Sequence, residues 1–580
     1  MIAKQWLAVL AMAALLPAAQ AQQPTTRFEL SKGQETVTYH EGIAFFSQLA
    51  AAAPGRIRMD SMGQDDNGYP IHLLTCSNTG TFDYAQAHRE GKTVLLIMNA
   101  IHPGEPDGVD ACHLLLRNWL AGQYKLPDNV VLGIIPFYNI SGALERNSYT
   151  RANQNGPAAY GFRGNGQYLD LNRDFIKADS RNALAFARIF HATDPDVFID
   201  THVSNGADYQ HVLTLLTTLY QKLGAQQGQF LHRQMEPALY HSMQQKGYDL
   251  VPYVNVWDAV PDSGWTAFYD MPRFSSGYTT LFNTLGFVTE THMLKPFAQR
   301  VKATQTMLET FIAYSSEQAA AIQQQRRQQR ALAQQAQWYP INWKNDAAVY
   351  EWIRFKGYAA GHKPSDISGL PRLYYDRTRP YDKKVKYYNR YYPTDSVRVP
   401  EYFIVPAALR KVTERLLANE VQHTTLPHDT TLAVETYTIT HYDTRTKPYE
   451  GHYLHYNVQT GSQTTRITLH KGDWLIPARQ PAINYLMETL EPKADDSFFA
   501  WGFFDAILQQ KEYFSDYVFE DTGAAWLQTQ PDVRTRLNQR KQNDSSFAHS
   551  ADAQLDFVYR QSPWMEPGYM RYPVYRIMPR

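Results

Sequence analysis

Four apolar runs in the first half of the chain each end in polar residues. The clearest are TVLLIMNA, VVLGIIPFYN, DVFIDTH and GFVTETH, and segments with helical periodicity lie between them, such as DGVDACHLLLRNWLAG and SRNALAFARIFHAT. Strands that are apolar throughout and alternate with helices are typical of a sheet that is covered on both faces. Over about residues 37–290 we therefore predict an α/β fold, with a mixed, largely parallel sheet flanked by helices.

The pattern changes in the second half of the chain. Residues 295–337 have helical periodicity, and their last part is rich in Gln, Arg and Ala, which predicts a solvated helix leaving the first domain. Alternating runs such as TLAVETYTITHYD and GHYLHYNVQ then indicate half-buried antiparallel strands, with some helix in VPAALRKVTERLLANEV. We expect a first domain over residues 25–315, a helical linker over 316–338 and a β-rich accessory domain of unknown role over 339–580.

The N-terminal residues have the pattern of a signal peptide. Lys4 precedes an apolar segment, residues 6–18, which is shorter than the roughly 20 residues that span a bilayer. Residues 19–21 form an A-x-A cleavage site. We predict removal of residues 1–21 and export to the periplasm or the extracellular space, with a buried N-terminal helix as the alternative. No later stretch of the sequence is apolar enough for a membrane span.

Composition excludes few functions. The chain has 56 basic and 56 acidic residues, and this balance gives no reason to expect a nucleic acid partner. Two cysteines, Cys76 and Cys112, are too few for a disulfide scaffold, and whether they pair or stay free is open. Dense tyrosines, as in YDKKVKYYNRYYPTD, suit contact of the C-terminal region with glycan or protein and equally suit the interior of a β-sandwich.

The carboxyl ends of the apolar runs carry groups that bind metals. His102 and Glu105 follow the first run, His202 ends the third, and Glu290 lies in the fourth. Ligands bind outside the carboxyl ends of strands in open α/β sheets. Two histidines and a carboxylate form a catalytic zinc set, and a second carboxylate can serve as general base. His292 shares a strand face with Glu290 and is an alternative ligand, and the H-x-x-E spacing alone also fits a surface turn with a helix cap.

The segment YLDLNRDF, residues 168–175, makes the pattern more specific. With HPGE before it and TETH after it, this order of motifs resembles the zinc carboxypeptidase family, the carboxypeptidase A-like metallopeptidases, over about residues 25–315. The resemblance implies a catalytic domain that binds one Zn²⁺ ion through His102, Glu105 and His202. It also implies that Glu290 is the general base.

The resemblance implies further roles in the DLNR motif. Asp170 matches the carboxylate that orients His102, since a metal-bound imidazole usually donates its other N–H to a carboxylate or a carbonyl. Asn172 and Arg173 match the pair that binds the terminal carboxylate of the substrate, for which a guanidinium fork is well suited.

Two family roles are less well fixed by the sequence. An arginine stabilises the oxyanion in the family, and we assign it to Arg151, with Arg146 as the alternative. A mobile tyrosine closes over the substrate, and we assign it to Tyr278, with Tyr269 as the second candidate. Arg273, in the same segment as Tyr278, is expected at the surface.

The resemblance implies a secreted zinc metallocarboxypeptidase that hydrolyses the C-terminal peptide bond of a peptide or protein with a free C-terminus. A zinc amidohydrolase acting on N-acyl amino acids or cell-wall peptides would use the same groups and is the main alternative. A binding protein with an inactive first domain would not need the zinc histidines, the glutamate ligand and the base together. Without a G-x-S-x-G elbow, P-loop or dinucleotide-binding glycine pattern, the sequence does not support a serine hydrolase or a nucleotide-binding protein.

Overall fold

A computed structural model gives the structure of residues 24–579, so the predicted signal peptide lies outside the described residues. The strands of the first part are β1 (Ile57–Gln64), β2 (Pro70–Ser77), β3 (Thr93–Met98), β4 (Val130–Ile135), β5 (Val197–Ser204), β6 (Leu213–Thr217), β7 (Gly264–Thr266) and β8 (Leu285–His292). Its helices are α1 (Arg27–Leu30), α2 (Tyr39–Ala52), α3 (Tyr84–Arg89), α4 (Asp107–Leu120), α5 (Ile140–Leu144), α6 (Arg181–Thr193), α7 (Ala225–Phe230), α8 (Glu236–Gln245), α9 (Ser275–Thr280), α10 (Phe297–Glu317) and α11 (Ala319–Gln335).

Seven of the described strands form one mixed sheet in the order β1-β2-β4-β3-β5-β8-β6. The central strands β4, β3, β5 and β8 run parallel, whereas β1 and β2 at one edge and β6 at the other are antiparallel to their neighbours. Every residue of β3, β4 and β5 is buried, as expected for strands that are covered on both faces. The predicted α/β fold with a mixed, largely parallel sheet is confirmed.

The register of the parallel strands brings their carboxyl ends together. β5 pairs with β8 so that His202 lies opposite Glu290, and β3 runs along the other side of β5. β3 ends at Met98, and the turn that follows it carries His102 and Glu105 to the start of α4. Polar side chains from distant parts of the sequence therefore meet at one edge of the sheet.

A buried ion pair fastens α4 to α10 beneath this edge. Asp107, the first residue of α4, accepts hydrogen bonds from Nε and Nη2 of Arg300 at 3.0 and 3.3 Å, and both side chains are buried. Arg300 also donates to the carbonyl oxygens of Met293 and residues 155–156. Removing one partner of a buried pair costs about 3–5 kcal/mol, so these contacts hold the start of α4 firmly in place.

Helix α11 does not leave the first domain as a solvated linker. Ile322 is fully buried on one of its faces, and Arg326 is only 3% exposed. Arg326 bonds the carboxylates of Asp194 and Asp196, and Gln323 donates to a backbone carbonyl just before β3. The expectation of a solvated helix was wrong because Arg and Gln side chains on one face of α11 bond polar groups of the first part of the chain, among them the buried carboxylate of Asp196.

Several sheets make up the C-terminal region, together with helices. Its strands are β9 (Trp338–Asn345), β10 (Glu351–Pro364), β11 (Pro371–Tyr388), β12 (Tyr391–Arg398), β13 (Tyr402–Val405), β14 (Thr424–Thr425), β15 (Thr430–Thr444), β16 (His455–Leu469), β17 (Trp474–Pro477) and β18 (Tyr575–Ile577). Its helices are α12 (Arg410–Ala418), α13 (Ile483–Leu490), α14 (Asp516–Gln528), α15 (Pro531–Asn543), α16 (Ser545–Ala548) and α17 (Ala551–Gln561). The β-rich character is confirmed, and α14–α17 are helices that we did not predict.

The two parts of the chain share a sheet. β7 of the first part pairs in parallel with residues 386–388 of β11. Tyr209 and Trp265 pack in one apolar cluster with Phe355 and Val385 from β10 and β11. Elements on both sides of the predicted boundary are thus joined by hydrogen bonds and apolar packing, and the boundary itself stays a prediction.

Two further expectations concern membrane-spanning helices and the pairing of the two cysteines. Among residues 24–579, no helix is long and apolar enough to cross a membrane. Cys76 and Cys112 are both buried and unpaired, which decides between the two alternatives left open by the sequence. Burial raises the pKa of the Cys112 thiol to about 12, so this cysteine is a poor nucleophile.

Candidate active site

The three predicted metal ligands converge at the carboxyl edge of the sheet. One ligand atom from each of His102, Glu105 and His202 lies within 4.8 Å of the other two, and all three residues are buried. Oε1 of Glu105 is 3.3 Å from Nδ1 of His102, and its Oε2 is 3.0 Å from Nδ1 of His202. Within the described chain, Nδ1 of His102 is buried without a hydrogen-bond partner. Such an unsatisfied nitrogen in a His₂Glu set fits a zinc ion.

A carboxylate faces the opposite nitrogen of each imidazole. Nε2 of His102 lies 2.9 Å from Oδ1 of Asp170 in a hydrogen bond. Nε2 of His202 lies 2.9 Å from Oδ2 of Asp200, a close ionic contact without the alignment of a hydrogen bond. These carboxylates fix the orientation of the two rings. We predicted the role of Asp170 and missed that of Asp200, although its position two residues before His202 on one strand face could have shown it.

The pKa values of two neighbouring glutamates, Glu105 and Glu290, are shifted in opposite directions. Burial alone would raise the pKa of Glu105, but the Arg151 guanidinium and the His102 imidazole hold it well below its usual range. Burial raises the pKa of Glu290, and the nearby His202 only partly opposes this effect. Oε2 of Glu290 is buried without a hydrogen-bond partner in the described chain. Glu105 therefore stays ionised, as a cation ligand must, whereas Glu290 readily takes up a proton.

The site opens into a cavity of about 620 Å³, a size typical of small-molecule and peptide sites. Among its lining residues are seven that the sequence predicted, namely His102, Glu105, Arg151, Asn172, Arg173, His202 and Glu290. The carboxylate of Asp170 lies behind the His102 ring. The structure thus brings together residues from positions 102 to 290 around one cavity.

Arg151, and not Arg146, reaches the predicted metal ligands. Nη2 of Arg151 donates to Oε1 of Glu105 at 2.7 Å. Gly104 makes this approach possible, since a Cβ at that position would lie 2.1 Å from Nε of Arg151. Arg146 instead donates to two backbone carbonyls near the N-terminus and does not line the cavity.

A further arginine, Arg163, lies in the site and was missed. Its Nε donates to Oδ2 of Asp170 at 2.9 Å, and its Nη1 lies 3.6 Å from Oε1 of Glu105. Its side chain is 43% exposed and lines the cavity. Arg163 lies in an irregular loop outside every motif, so no pattern in the sequence pointed to this residue.

The structure does not bring Tyr278 to the cavity. Its side chain is fully buried against four phenylalanine rings, and its hydroxyl donates to Oδ1 of Asn419 at 2.5 Å. A ring packed in this way cannot swing over a substrate. Tyr269, the second candidate, also lies outside the cavity, where its hydroxyl donates to Asp495. The tyrosine that lines the cavity is Tyr253, in the loop before β7.

Asn172 and Arg173 project side by side from a short 3-10 turn. Oδ1 of Asp170 caps this turn by accepting the backbone N–H of Asn172 at 2.9 Å. The Arg173 guanidinium lies over the ring of Phe274, 4.7 Å from its centroid. The carboxylate nearest to it, that of Asp170, is 3.8 Å away, so the guanidinium has no bidentate partner and remains available to an anion.

A set of uncharged side chains belongs to the cavity lining together with Arg173 and Glu290. Leu216 on β6 pairs with Val288 on β8, two residues before Glu290 and on the same strand face. Aromatic rings continue this surface, with Phe268 5.0 Å from Phe274 and 6.1 Å from Tyr253 between centroids. We call this surface the apolar wall and define it by the five residues Leu216, Tyr253, Phe268, Phe274 and Val288.

A protein-family model matches the segment that carries the first two predicted metal ligands. Residues 43–196 match the model of the zinc carboxypeptidase family. The matched segment contains His102, Glu105 and Asp170 and ends before His202 and Glu290, which the strand register places at the same site. The resemblance to this family that the sequence suggested is confirmed for residues 43–196.

Two of the solved structures that are similar to this chain are carboxypeptidases. A metallo-carboxypeptidase from Burkholderia cenocepacia is 18% identical, with 48% of this chain and 69% of that chain covered and a TM-score of 0.36. Carboxypeptidase A from Helicoverpa armigera is 16% identical, with 49% and 74% covered and a TM-score of 0.37. Similarities this low carry no argument about function. No curated protein matches the sequence.

Asp170→Asn should weaken zinc binding by about 10–100-fold, because His102 loses the carboxylate that fixes its ring. Competition with a chelator of known affinity measures the change. Asp60→Asn, which removes a carboxylate at the surface beside Arg58, is the matched control and should bind zinc like the parent. Unchanged zinc affinity in Asp170→Asn would contradict the orienting role of Asp170.

Proposed function

We propose that this protein is an exported zinc metallocarboxypeptidase that removes the C-terminal residue of peptides or proteins. The observation that carries the proposal is that one cavity holds a His₂Glu set, the buried Oε2 of Glu290, which lacks a hydrogen-bond partner in the described chain, and the Arg173 guanidinium, whose nearest carboxylate is 3.8 Å away. The family match supports the chemistry, and the A-x-A pattern at residues 19–21 supports export.

The residues around the metal ligands have distinct tasks in hydrolysis. Zinc held by His102, Glu105 and His202 would polarise the scissile carbonyl and lower the pKa of a water molecule. Oε2 of Glu290 accepts the proton of the attacking water, because it is buried and has no competing donor, and it returns this proton to the leaving amine. Arg151 stabilises the negative charge that develops on the carbonyl oxygen.

Asn172 and Arg173 select the end of the substrate. The Arg173 guanidinium is held over Phe274 and has no bidentate carboxylate partner, so a free terminal carboxylate fits it. An internal peptide bond offers no such anion and would leave the guanidinium uncompensated. Binding at this point therefore places the last peptide bond of the substrate next to Glu290.

The apolar wall supports a preference for apolar C-terminal residues. Its five side chains carry no charge. Phe274 contacts the Arg173 guanidinium, and Val288 shares the strand face of Glu290. An aliphatic or aromatic side chain gains about 25 cal/mol per Å² of apolar surface that it buries there. A lysine or aspartate would lose hydration at this wall without gaining a charged partner.

Glu290→Gln should keep zinc and lower kcat by about 10²–10⁴-fold, because the amide cannot accept the proton of the water. Turnover of a peptide ending in Phe and metal content by elemental analysis measure the two quantities. Glu90→Gln, at an exposed carboxylate outside the cavity, is the matched control. Turnover near the parent level in Glu290→Gln would refute Glu290 as the base.

A peptide with a free C-terminus should be cleaved at least about 100-fold faster than its C-terminal amide, because the charge-assisted bonds to Arg173 are lost with the amide. The ratio of the two kcat/KM values measures this preference. Arg173→Met should lower the ratio towards one by slowing only the free acid. Equal cleavage of acid and amide by the parent would exclude anchoring through Asn172 and Arg173.

Peptides ending in Phe or Leu should have kcat/KM values about 10–100-fold above those of peptides ending in Lys, because the apolar wall offers no counter-charge. Val288→Asp should speed the release of C-terminal Lys and slow the release of C-terminal Phe. Val288→Asn, of similar size but without the charge, should not favour Lys. If the parent releases C-terminal Lys as fast as Phe, the apolar wall does not set specificity.

A further inference from the structure

The connection between β15 and β16 lies against the segment that carries Asp170. Tyr449 and His452 face each other across a tight turn, with Glu450 and Gly451 between them. Oε2 of Glu450 accepts the backbone N–H of Asp170 at 2.8 Å. This hydrogen bond joins positions 280 residues apart, from the C-terminal region to the zinc site.

Glu450 does not suit the turn in which it lies. Both central residues have positive φ, 50° for Glu450 and 82° for Gly451, as in the type I′ turns that favour Asn, Asp or Gly. The left-handed conformation costs a glutamate roughly 1 kcal/mol that a glycine avoids. A turn-forming role therefore does not explain this residue, whereas its hydrogen bond to Asp170 does.

The Asp170 carboxylate contacts three other groups of the site, so the backbone position of Asp170 affects all three. Its Oδ1 contacts Nε2 of His102 and also accepts the backbone N–H of Asn172, each at 2.9 Å. Its Oδ2 accepts a hydrogen bond from Arg163. A displacement of the Asp170 backbone therefore moves the orienting group of a metal ligand and the substrate-binding turn together.

The C-terminal region makes further polar contacts with the first part of the chain. His452 donates to Oδ2 of Asp179 at 2.7 Å, and Arg415 donates to Oδ1 of the same carboxylate at 3.0 Å. Arg273, expected at the surface, is only 8% exposed and is bound by the carboxylate of Asp496. Among the described residues, none beyond 293 lines the cavity. The C-terminal region therefore contacts segments of the first part of the chain near the site and does not itself line the cavity.

We propose that Glu450 is a positioning residue, through which the C-terminal region holds Asp170, and with it the His102 ring and the Asn172–Arg173 turn, in the geometry that binding and hydrolysis require. The inference rests on the proposed function, since it deepens the role of the same site. Under this proposal, the loop between β15 and β16 positions Asp170 and does not contact the substrate.

Three variants of Glu450 and one control variant, all made in the full chain, test this proposal. Glu450→Asn suits the turn but is one methylene too short to reach Asp170, whereas Glu450→Gln keeps both the length and an acceptor oxygen. Glu420→Asn is the matched control, because Glu420 is exposed, has a φ of 52°, and makes no side-chain hydrogen bond within the described chain. Glu450→Gly also suits the turn and serves if Glu450→Asn does not fold.

Zinc affinity of the full chain, measured with Zn²⁺ alone by chelator competition, is the first readout. We expect Glu450→Asn to bind zinc about 3–10-fold more weakly, a smaller loss than for a group that touches the ligand itself. Glu450→Gln and Glu420→Asn should stay within about twofold of the parent, and the melting temperature of Glu450→Asn should not fall. At saturating zinc, Glu450→Asn should also raise KM for the free-acid peptide, since Asn172 and Arg173 shift with Asp170.

Two results would overturn the proposal. Parent-like zinc affinity and KM in Glu450→Asn would show that the hydrogen bond positions nothing. An equal loss in Glu450→Gln and Glu450→Asn would show that the charge of Glu450, and not its hydrogen bond, is what matters. Zinc affinity is measured without substrate, so a parent that binds zinc but releases no C-terminal residue would refute the proposed function and leave this result intact.

Discussion

Carboxylates that are removed from water need positive partners at close range, and this requirement shapes the centre of the protein. Glu105 and Asp170 lie in the same buried site as two imidazoles and several arginines, which keep both carboxylates ionised. Glu290 is the exception, because its Oε2 has no partner in the described chain and burial favours its protonated form. A metal ion would complete the compensation of the ionised groups, and the remaining glutamate would be left to exchange protons. The division of labour between neighbouring acids thus follows from which of them have cationic partners.

The sequence predicted the parts of the site that depend on strand ends. His202 and Glu290 lie in apolar runs, and parallel pairing of buried strands brings such ends together whatever lies between them in the chain. Asp170 and Arg173 were assigned through the resemblance of DLNR to a family motif, and in the structure a short capped turn carries both residues. Irregular loops gave no comparable signal, so Arg163 was missed. Tyr278 failed for a different reason, since only packing against α6 decides whether a short helix turns a tyrosine inward.

Composition was a poor guide to the C-terminal region. Its dense tyrosines suited both a binding surface and the interior of a β-sandwich, and the Gln- and Arg-rich segment before it suggested a solvated linker. Instead, α11 packs on the first part of the chain, and β11 extends a sheet that begins with β7. Such contacts arise from pairing between distant segments, which neither periodicity nor composition reveals. Contact with glycan or protein through this region stays a prediction, beside the structural role that Glu450, His452 and Asp496 already have.

The pairing of β7 with β11 has a consequence for how the protein is made. A chain emerges from the ribosome with its N-terminus first, so β7 must wait for more than a hundred residues before its partner at positions 386–388 exists. Folding of such distant pairs is intrinsically slow, since loop closure precedes the contacts that reward it. The predicted metal ligands and the whole cavity lining lie before residue 294. The supporting hydrogen bonds from Glu450 and His452 form only after most of the chain has been synthesised. A nascent or prematurely terminated chain would therefore carry the predicted ligands without this support.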